Sequence, residues 1–140
     1  MFVVLDTNHF RELTENSAVG RNLIGRIDER HADVFCCIVA VEETLQGWFA
    51  LLRRRKIGRD QVTAYARLQR DIEALAKLTI IPFDQEAAAI FETLRAKDRR
   101  TGTMDLKIAA ICIAHDVTLL TRNLADFNKV PGLRVENWLE

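Results

Sequence analysis

Residues 1–8 read Met-Phe-Val-Val-Leu-Asp-Thr-Asn, a short apolar run that ends abruptly in a carboxylate. The run from Phe2 to Leu5 is too short for a helix and is followed at once by turn-forming residues, so we predict a strand. Because it is apolar on both sides, this strand suits the middle of a parallel sheet covered by helices. Ligands of such sheets bind beyond the carboxyl ends of the strands, which is where Asp6 lies. Taken alone, Asp6 or Thr7 equally fits a helix cap.

The rest of the chain alternates between strand and helix patterns. Further strands are predicted at residues 34–39, 78–81 and 117–120, with a last one near 133–135. Helices are predicted at about 40–55 and 60–77, after a cap at Asp84, and after a cap at Thr103. The last of these is apolar all round over residues 108–114, as expected of a buried helix. This alternation predicts one α/β domain over residues 1–140, a three-layer α/β/α sandwich with a mainly parallel central sheet.

Composition narrows the class of protein. Of the 140 residues, 49% are apolar and 29% are charged, which is ordinary for a soluble domain. The longest apolar run is too short to span a membrane, and the first residues resemble no secretion signal. Three cysteines, Cys36, Cys37 and Cys112, make no disulfide framework and fit a reducing cytoplasm. Twenty basic and twenty acidic residues cancel, so net charge does not indicate a nucleic-acid partner.

Acidic and amide side chains stand at matching places in this pattern. They are Asp6 after the first strand, Glu42 and Glu43 after the second, Asp105 at the start of the buried helix, and Asn123 and Asp126 after the fourth strand. In a parallel sheet these places share one edge, so the side chains are expected to converge. Two carboxylates ~5 Å apart repel by roughly 3 kcal/mol at an effective dielectric near 20, which favours a bound cation. Oxygen ligands without cysteine or paired histidine favour Mg²⁺ or Mn²⁺ over zinc.

Each acid also has a purely structural interpretation, because the helix dipole favours a negative charge in a first turn. Helical geometry favours Glu43 modestly over Glu42 as the functional glutamate. Glu43 shares its helix face with Gly47 and Ala50, one and two turns further on. Their small side chains leave room for a metal, a neighbouring helix or a phosphate backbone.

Taken in order, the motifs resemble those of the PIN domain ribonucleases, and more closely the VapC toxins of bacterial toxin–antitoxin pairs. The matching stretches are residues 5–8 (Leu-Asp-Thr-Asn), 41–43 (Val-Glu-Glu) with Leu45, Gly47 and Trp48, 81–84 (Ile-Pro-Phe-Asp), 102–106 (Gly-Thr-Met-Asp-Leu), 120–123 (Leu-Thr-Arg-Asn) and 130–133 (Val-Pro-Gly-Leu). The resemblance covers essentially the whole chain. It implies a cytoplasmic, Mg²⁺-dependent endoribonuclease that hydrolyses RNA phosphodiester bonds, is neutralised by a cognate antitoxin and forms a homodimer.

The resemblance also implies the roles of individual residues. Asp6, Glu43 and Asp105 match the catalytic and metal-binding acids, and Asn123 falls on a fourth catalytic position that is often Asp in the family. Asp126, three residues further on, is an alternative for that position. On this hypothesis Asp6 and Asp105 bind the ion, and Glu43 contacts it directly or through water and orients the attacking water. The residues expected to hydrogen-bond the carboxylates are Thr7, Asn8 and Thr121.

Two basic clusters are candidate RNA contacts, because Lys and Arg bind phosphates, although solvated charge runs are commoner. They are Arg53, Arg54 and Arg55, beside Lys56 and Arg59, and then Arg99 with Arg100. One alternative is a non-catalytic PIN-like module that binds RNA or protein, since Asn123 carries no charge. Another is a Mg²⁺-dependent phosphatase or phosphoacceptor domain. The phosphatase pattern requires Asp at position 8, where this chain has Asn8. The phosphoacceptor pattern requires an acidic pair after the first strand, which this chain lacks.

Overall fold

The elements alternate between strand and helix as the sequence predicts. The computed structural model describes all 140 residues. The strands are β1 (Phe2–Leu5), β2 (Asp33–Cys37), β3 (Thr79–Ile81), β4 (Thr118–Leu120) and β5 (Val135–Glu136). The helices are α1 (Thr7–Thr14), α2 (Ala18–Glu29), α3 (Ile38–Arg54), α4 (Val62–Ala76), α5 (Gln85–Lys97), α6 (Thr103–Ala114) and α7 (Leu124–Phe127), with a 3₁₀ turn over Gly58–Gln61.

The sheet has the order β3-β2-β1-β4-β5, and every pair of neighbouring strands is parallel. Val4 of β1 lies between Phe35 of β2 and Leu119 of β4. Successive strand residues point to opposite faces, and Val3 and Val4 are both fully buried. Helices therefore cover both faces of the sheet, which confirms the predicted three-layer α/β architecture.

The chain moves from β1 outward to β2 and β3 on one side, and β4 and β5 lie on the other side. The strand order thus reverses at β1, and the crevice of a parallel α/β sheet lies at such a reversal. Asp6 follows the last residue of β1, and its backbone N–H donates to the carbonyl of Leu120, the last residue of β4. The fold therefore places the first predicted acid at the mouth of this crevice.

The core includes the all-apolar helix that the sequence singled out. Residues 108–112 of α6 are at most 1% exposed. Phe10, Leu23 and Trp138 fill the core at other points around the sheet. Asp105 belongs to the first turn of α6, so burial of the rest of the helix fixes where that carboxylate stands.

Several element boundaries differ from prediction, most of them by one or two residues. β2 ends at Cys37 and α3 begins at Ile38, two residues before the predicted start at 40. Ile38 and Val39 are β-branched and apolar, so periodicity alone could not separate the strand end from the first helical turn. The cap of α6 is Gly102 rather than Thr103, and it caps without a side-chain hydrogen bond. The last strand, β5, lies one to two residues later than predicted.

None of the helices combines the length and the apolar character that a membrane crossing requires.

Candidate active site

Asp6 caps α1, as the structural interpretation of the sequence anticipated. Its backbone is extended, and its Oδ1 accepts a hydrogen bond of 2.9 Å from the backbone N–H of His9. The same oxygen lies 3.2 Å from Nδ1 of the buried His9 ring. Oδ2 has no hydrogen-bond partner in the protein, and the residue is 8% exposed. Asp6 is therefore both a helix cap and a carboxylate with one oxygen free at the crevice.

Glu43 lies on α3 in the second turn after β2 and is half-buried. Its Oε1 accepts a hydrogen bond of 3.2 Å from Oγ1 of Thr7. Burial raises the pKa of the Glu43 carboxyl above its ordinary value; the Thr7 hydrogen bond lowers it, and the charges of Asp105 and Asp6 raise it. Glu42, by contrast, is exposed, and its carboxylate accepts a bond from Gln46. The structure therefore places Glu43, and not Glu42, beside the other acids.

Asp105 in the first turn of α6 is also half-buried. Burial raises its pKa most, and the charges of Asp126 and then Asp6 raise it further. Asp126 stands in α7 and is exposed. The amide of Asn123 donates a bond of 2.9 Å to Oδ2 of Asp126. Four carboxylates thus act on one another electrostatically at the carboxyl edge of the sheet, and Asn123 contacts one of them.

These carboxylates lack basic partners. None of Asp6, Glu43, Asp105 and Asp126 has a lysine or arginine within salt-bridge distance, and Asp6 pairs only with His9. Their oxygen-only donor set fits a hard divalent cation. Yet no three of the chain's His, Cys, Asp and Glu side chains lie close enough to form a ready-made metal site. Shared binding of one cation by these acids would therefore require their side chains to move closer together.

Of the three expected helper residues, only Thr7 bonds a carboxylate of the site. The oxygen of Asn8 accepts instead from the guanidinium of Arg11, 2.7 Å away, because the two residues face outward three positions apart on α1. Thr121 is fully buried, and its hydroxyl oxygen accepts from the backbone N–H of Asn123 at 3.0 Å. The expected bonds from Asn8 and Thr121 to the carboxylates are therefore absent, and Thr121 shapes the turn that carries Asn123.

Comparison with known proteins identifies the family. The PIN domain family model matches residues 3–133, nearly the whole chain. The chain belongs to the PIN domain family. It is 35% identical over 68 residues to Ribonuclease VapC2 of Rickettsia felis, covering 46% of this chain and 51% of that protein. It is 31% identical over 68 residues to the tRNA(fMet)-specific endonuclease VapC of Salmonella typhimurium, covering 46% and 52%.

This PIN domain thus spans about half the length of the curated relatives that it matches. A crystal structure of VapBC2 from Rickettsia felis, bound to a DNA fragment from its promoter, superposes with a TM-score of 0.73. That alignment covers 99% of each chain at 22% identity. Identity at this level shows a shared fold, in agreement with the parallel sheet described above.

A cleft of about 360 Å³ adjoins the acids of this PIN domain, and Glu43 and Thr7 form part of its wall. Trp48 lines the cleft, and its indole N–H donates to a carboxylate oxygen of Asp71 at 2.7 Å, which ties α3 to α4. The basic residues that line it are Arg11, Arg54 and Arg67. Arg54 and Arg67 are exposed and form no salt bridge. The cleft therefore offers unpaired positive charge next to a group of negative charges.

Of the predicted basic clusters, only Arg54 lines this cleft. Arg53 and Arg55 are exposed at the end of α3, outside its wall. Arg99 and Arg100 stand in the loop between α5 and α6, where they line a separate depression with Lys97 and Lys129. Sequence reasoning missed Arg11 and Arg67, because each is an isolated basic residue on a helix and only the packing of α1 and α4 brings them together.

Proposed function

We propose that this chain is a cytoplasmic, metal-dependent endoribonuclease that hydrolyses RNA phosphodiester bonds, and that it is the toxin of a VapC-type toxin–antitoxin pair. The observation that carries the proposal is the group of four carboxylates without basic partners at the crevice of a PIN domain. The curated relatives named ribonuclease and endonuclease support the same activity. Mg²⁺ or Mn²⁺ is the proposed cofactor, because the donor set contains only oxygen.

The proposed ligands are Asp6 through its free Oδ2 and Asp105. A divalent ion held there would polarise a phosphoryl oxygen and lower the pKa of a bound water. Glu43 is proposed to orient the attacking water and accept its proton at Oε2, since Thr7 already occupies Oε1. The raised pKa of Glu43 suits a proton acceptor, because a carboxylate whose pKa is shifted toward neutral pH is a stronger base.

Asp126 is proposed to fill the fourth acidic position in place of Asn123. Its charge raises the pKa of Asp105 more than that of Asp6 does, which supports its place in the acidic group. Asn123 supplies no charge but holds the Asp126 carboxylate through its amide. In this proposal Asn123 positions the carboxylate of Asp126, and Asp126 interacts with the cation or with a water bound to it.

RNA is proposed to lie along the cleft that begins at Glu43. Arg54 and Arg67 supply unpaired charge for phosphates, and Trp48 contributes an aromatic wall. Single-stranded RNA suits such a surface, because basic grooves with aromatic side chains hold a backbone and its unstacked bases. Arg99 and Arg100 remain a second candidate contact, whereas Arg53 and Arg55 point to no part of this cleft.

Replacement of Arg54 or Arg67 with Gln is expected to weaken RNA binding while leaving the maximal rate of cleavage little changed. Each lost phosphate contact is expected to lower the slope of log affinity against log salt by about 0.7. The measurement is a salt titration of RNA binding in an Asp105→Asn background, so that the RNA survives. Arg134→Gln is the control, because Arg134 pairs with Asp116 before β4, at the opposite edge of the sheet. An unchanged slope in both cleft variants would contradict this path.

Two protein partners are part of the proposal. The structural neighbours titled VapBC and toxin–antitoxin complexes support a cognate antitoxin. Homodimerisation is supported by an apolar groove on α3 that exposes Ile38 and Phe49 by 42% and 44%, beside Phe83. Light scattering of the purified chain tests the dimer, and a mass of only 16.0 kDa would rule it out.

The activity itself is tested by sequencing RNA ends after induced expression of the chain and of its Glu43→Gln variant. The proposal expects discrete new RNA ends with the natural chain and their loss with the variant. Glu42→Gln is the matched control, since it removes the same charge one residue away at an exposed position. Equal RNA ends from the natural chain and Glu43→Gln would instead favour a non-catalytic binding module. Labelling of Asp6 by acetyl phosphate would favour the phosphoacceptor alternative.

A further inference from the structure

His9 is a histidine buried beside the acidic group and has no part in the function proposed so far. It lies in the first turn of α1 with none of its surface exposed. A buried imidazole needs partners for both ring nitrogens, and both are present. Nδ1 lies 3.2 Å from Oδ1 of Asp6, and Nε2 lies 3.2 Å from the backbone nitrogen of Trp138.

The second of these contacts determines where the proton of the ring resides. The backbone N–H of Trp138 can only donate, so Nε2 of His9 must accept and cannot carry a proton itself. The neutral ring then carries its proton on Nδ1, and Nδ1–H donates to Oδ1 of Asp6. A backbone amide cannot rotate to reverse the bond as a hydroxyl could, so the direction of both bonds is fixed.

This arrangement determines which oxygen of Asp6 remains available. Oδ1 accepts two hydrogen bonds, one from the backbone N–H of His9 and one from its ring. Oδ2 accepts none from the protein and is left for a ligand. Two donors on one oxygen also hold the plane of the carboxylate, because any partial rotation would break both bonds, and a full flip only exchanges two equivalent oxygens.

The donor to His9 is itself held firmly. Trp138 is 1% exposed, its indole N–H donates to Glu136 at 3.2 Å, and the guanidinium of Arg30 lies 4.6 Å from the centre of its ring. Arg30 also pairs with Glu136 at 3.2 Å. A chain of contacts thus runs from the segment after β5, through His9, to Asp6.

We propose that His9 is a positioning residue, which orients Asp6 so that Oδ2 is presented to the divalent cation, and whose own orientation is set by the backbone of Trp138. This inference rests on the proposed function, because that function assigns the cation to Asp6. His9 does not touch the cation or the RNA. It acts through the carboxylate, in the way that hydrogen-bonded partners orient metal ligands generally.

Two substitutions separate the two contacts of the ring. The amide of Asn occupies roughly the place of Nδ1, so His9→Asn keeps a donor toward Asp6 and loses the acceptor for Trp138. The amide of Gln reaches the place of Nε2, so His9→Gln keeps the acceptor for Trp138 and loses the donor to Asp6. His9→Gln is expected to weaken Mn²⁺ binding by roughly 10–100-fold. His9→Asn is expected to bind Mn²⁺ within a few-fold of the natural chain and to melt at a lower temperature.

The measurements are Mn²⁺ binding by electron paramagnetic resonance, thermal melting, and kcat and KM on RNA for the full chain. His9→Gln is expected to lower kcat with little change in KM. If His9 were purely structural, the Mn²⁺ affinity of both variants would instead fall in step with their melting temperature. Equal Mn²⁺ affinity in His9→Gln and the natural chain would overturn the proposal, as would a nitrogen NMR spectrum that shows the His9 proton on Nε2. Failure of the natural chain to bind Mn²⁺ would overturn the metal assignment of the proposed function and this inference with it. Binding of Mn²⁺ without RNA cleavage would overturn the proposed function alone.

Discussion

Replacing Asp105 with Asn is expected to lower the rate of RNA cleavage by roughly a thousandfold while the fold survives. The variant keeps the size of the side chain but removes one of the two charges proposed to hold the cation. Loss of a cation that contributes several kcal/mol of transition-state stabilisation corresponds to a rate loss of this order. Asp6→Asn is expected to have an effect of the same size, because it removes the charge of the other ligand. Initial rates on a defined RNA, at one fixed Mn²⁺ concentration that saturates the natural chain, measure both effects.

The controls of this experiment are substitutions at residues that lie close in sequence to the proposed catalytic acids. Glu42→Gln should leave the rate within a few-fold of the natural chain, because Glu42 is exposed and bonds Gln46 outside the acidic group. Circular dichroism and melting show whether each variant is folded. In the same assay Asp126→Asn should reduce the rate more than Asn123→Ala, if the acid rather than the amide fills the fourth position. Rates within tenfold of the natural chain for both Asp6→Asn and Asp105→Asn would end the nuclease assignment.

Much of the fold could be predicted from residue types and spacing alone. The run from Phe2 to Leu5 is apolar on both sides, and the structure buries Val3 and Val4 on opposite faces in the central strand. The all-apolar stretch 108–114 indicates a helix with no solvent face, and α6 is that helix, although its last residues, Ile113 and Ala114, are only partly buried. These patterns are strong because burial on every side demands apolar residues at every position. The end of β2 was misplaced because Ile38 and Val39 suit a strand and a buried helix turn equally well.

The acidic group could be predicted in outline, because topology alone brings the ends of parallel strands to one edge. Most of the hydrogen bonds within it could not be predicted. The contact between His9 and the backbone of Trp138 joins residues 129 positions apart, and no periodicity links them. A bond from Thr7 to a carboxylate of the site was expected, and Glu43 accepts it. The bonds expected from Asn8 and Thr121 are absent, since the direction of each side chain depends on helix and turn geometry. Arg67 enters the cleft only through the packing of α4 against its neighbours.

The metal-free protein is expected to become more stable when Asp105 is replaced with Asn, and the natural protein is expected to be stabilised by Mn²⁺ far more than the variant. The pKa of Asp105 is raised in the folded chain by burial and by the charges of Asp126 and Asp6. The folded state therefore binds a proton more readily than the unfolded state between the two pKa values. Stability is then lost as pH rises through this window, and the full cost is present once the pH exceeds the pKa of the folded state.

Removing the charge should recover this cost and therefore raise the melting temperature of the metal-free protein. An ion in the natural protein should exceed that gain, since a ligand at 100 times its dissociation constant contributes about 2.7 kcal/mol. Scanning calorimetry at neutral pH, with a chelator and then with excess Mn²⁺, measures both quantities for the natural chain and for Asp105→Asn.

The sign of the change in stability that Asp105→Asn causes in the metal-free protein distinguishes a cation site from ordinary acids in a first helical turn. A carboxylate that only complements the dipole of α6 would lower stability by about 0.3–1 kcal/mol when it is neutralised, which is the opposite direction. Glu86, in the first turn of α5 and away from the acidic group, provides that reference through Glu86→Gln. A destabilised Asp105→Asn together with a natural chain indifferent to Mn²⁺ would make Asp105 a helix acid like Glu86. A stabilised variant that has lost its response to Mn²⁺ would instead show that Asp105 belongs to a group of mutually repelling carboxylates. The repulsion within that group lowers the stability of the metal-free protein, and a bound cation reduces it.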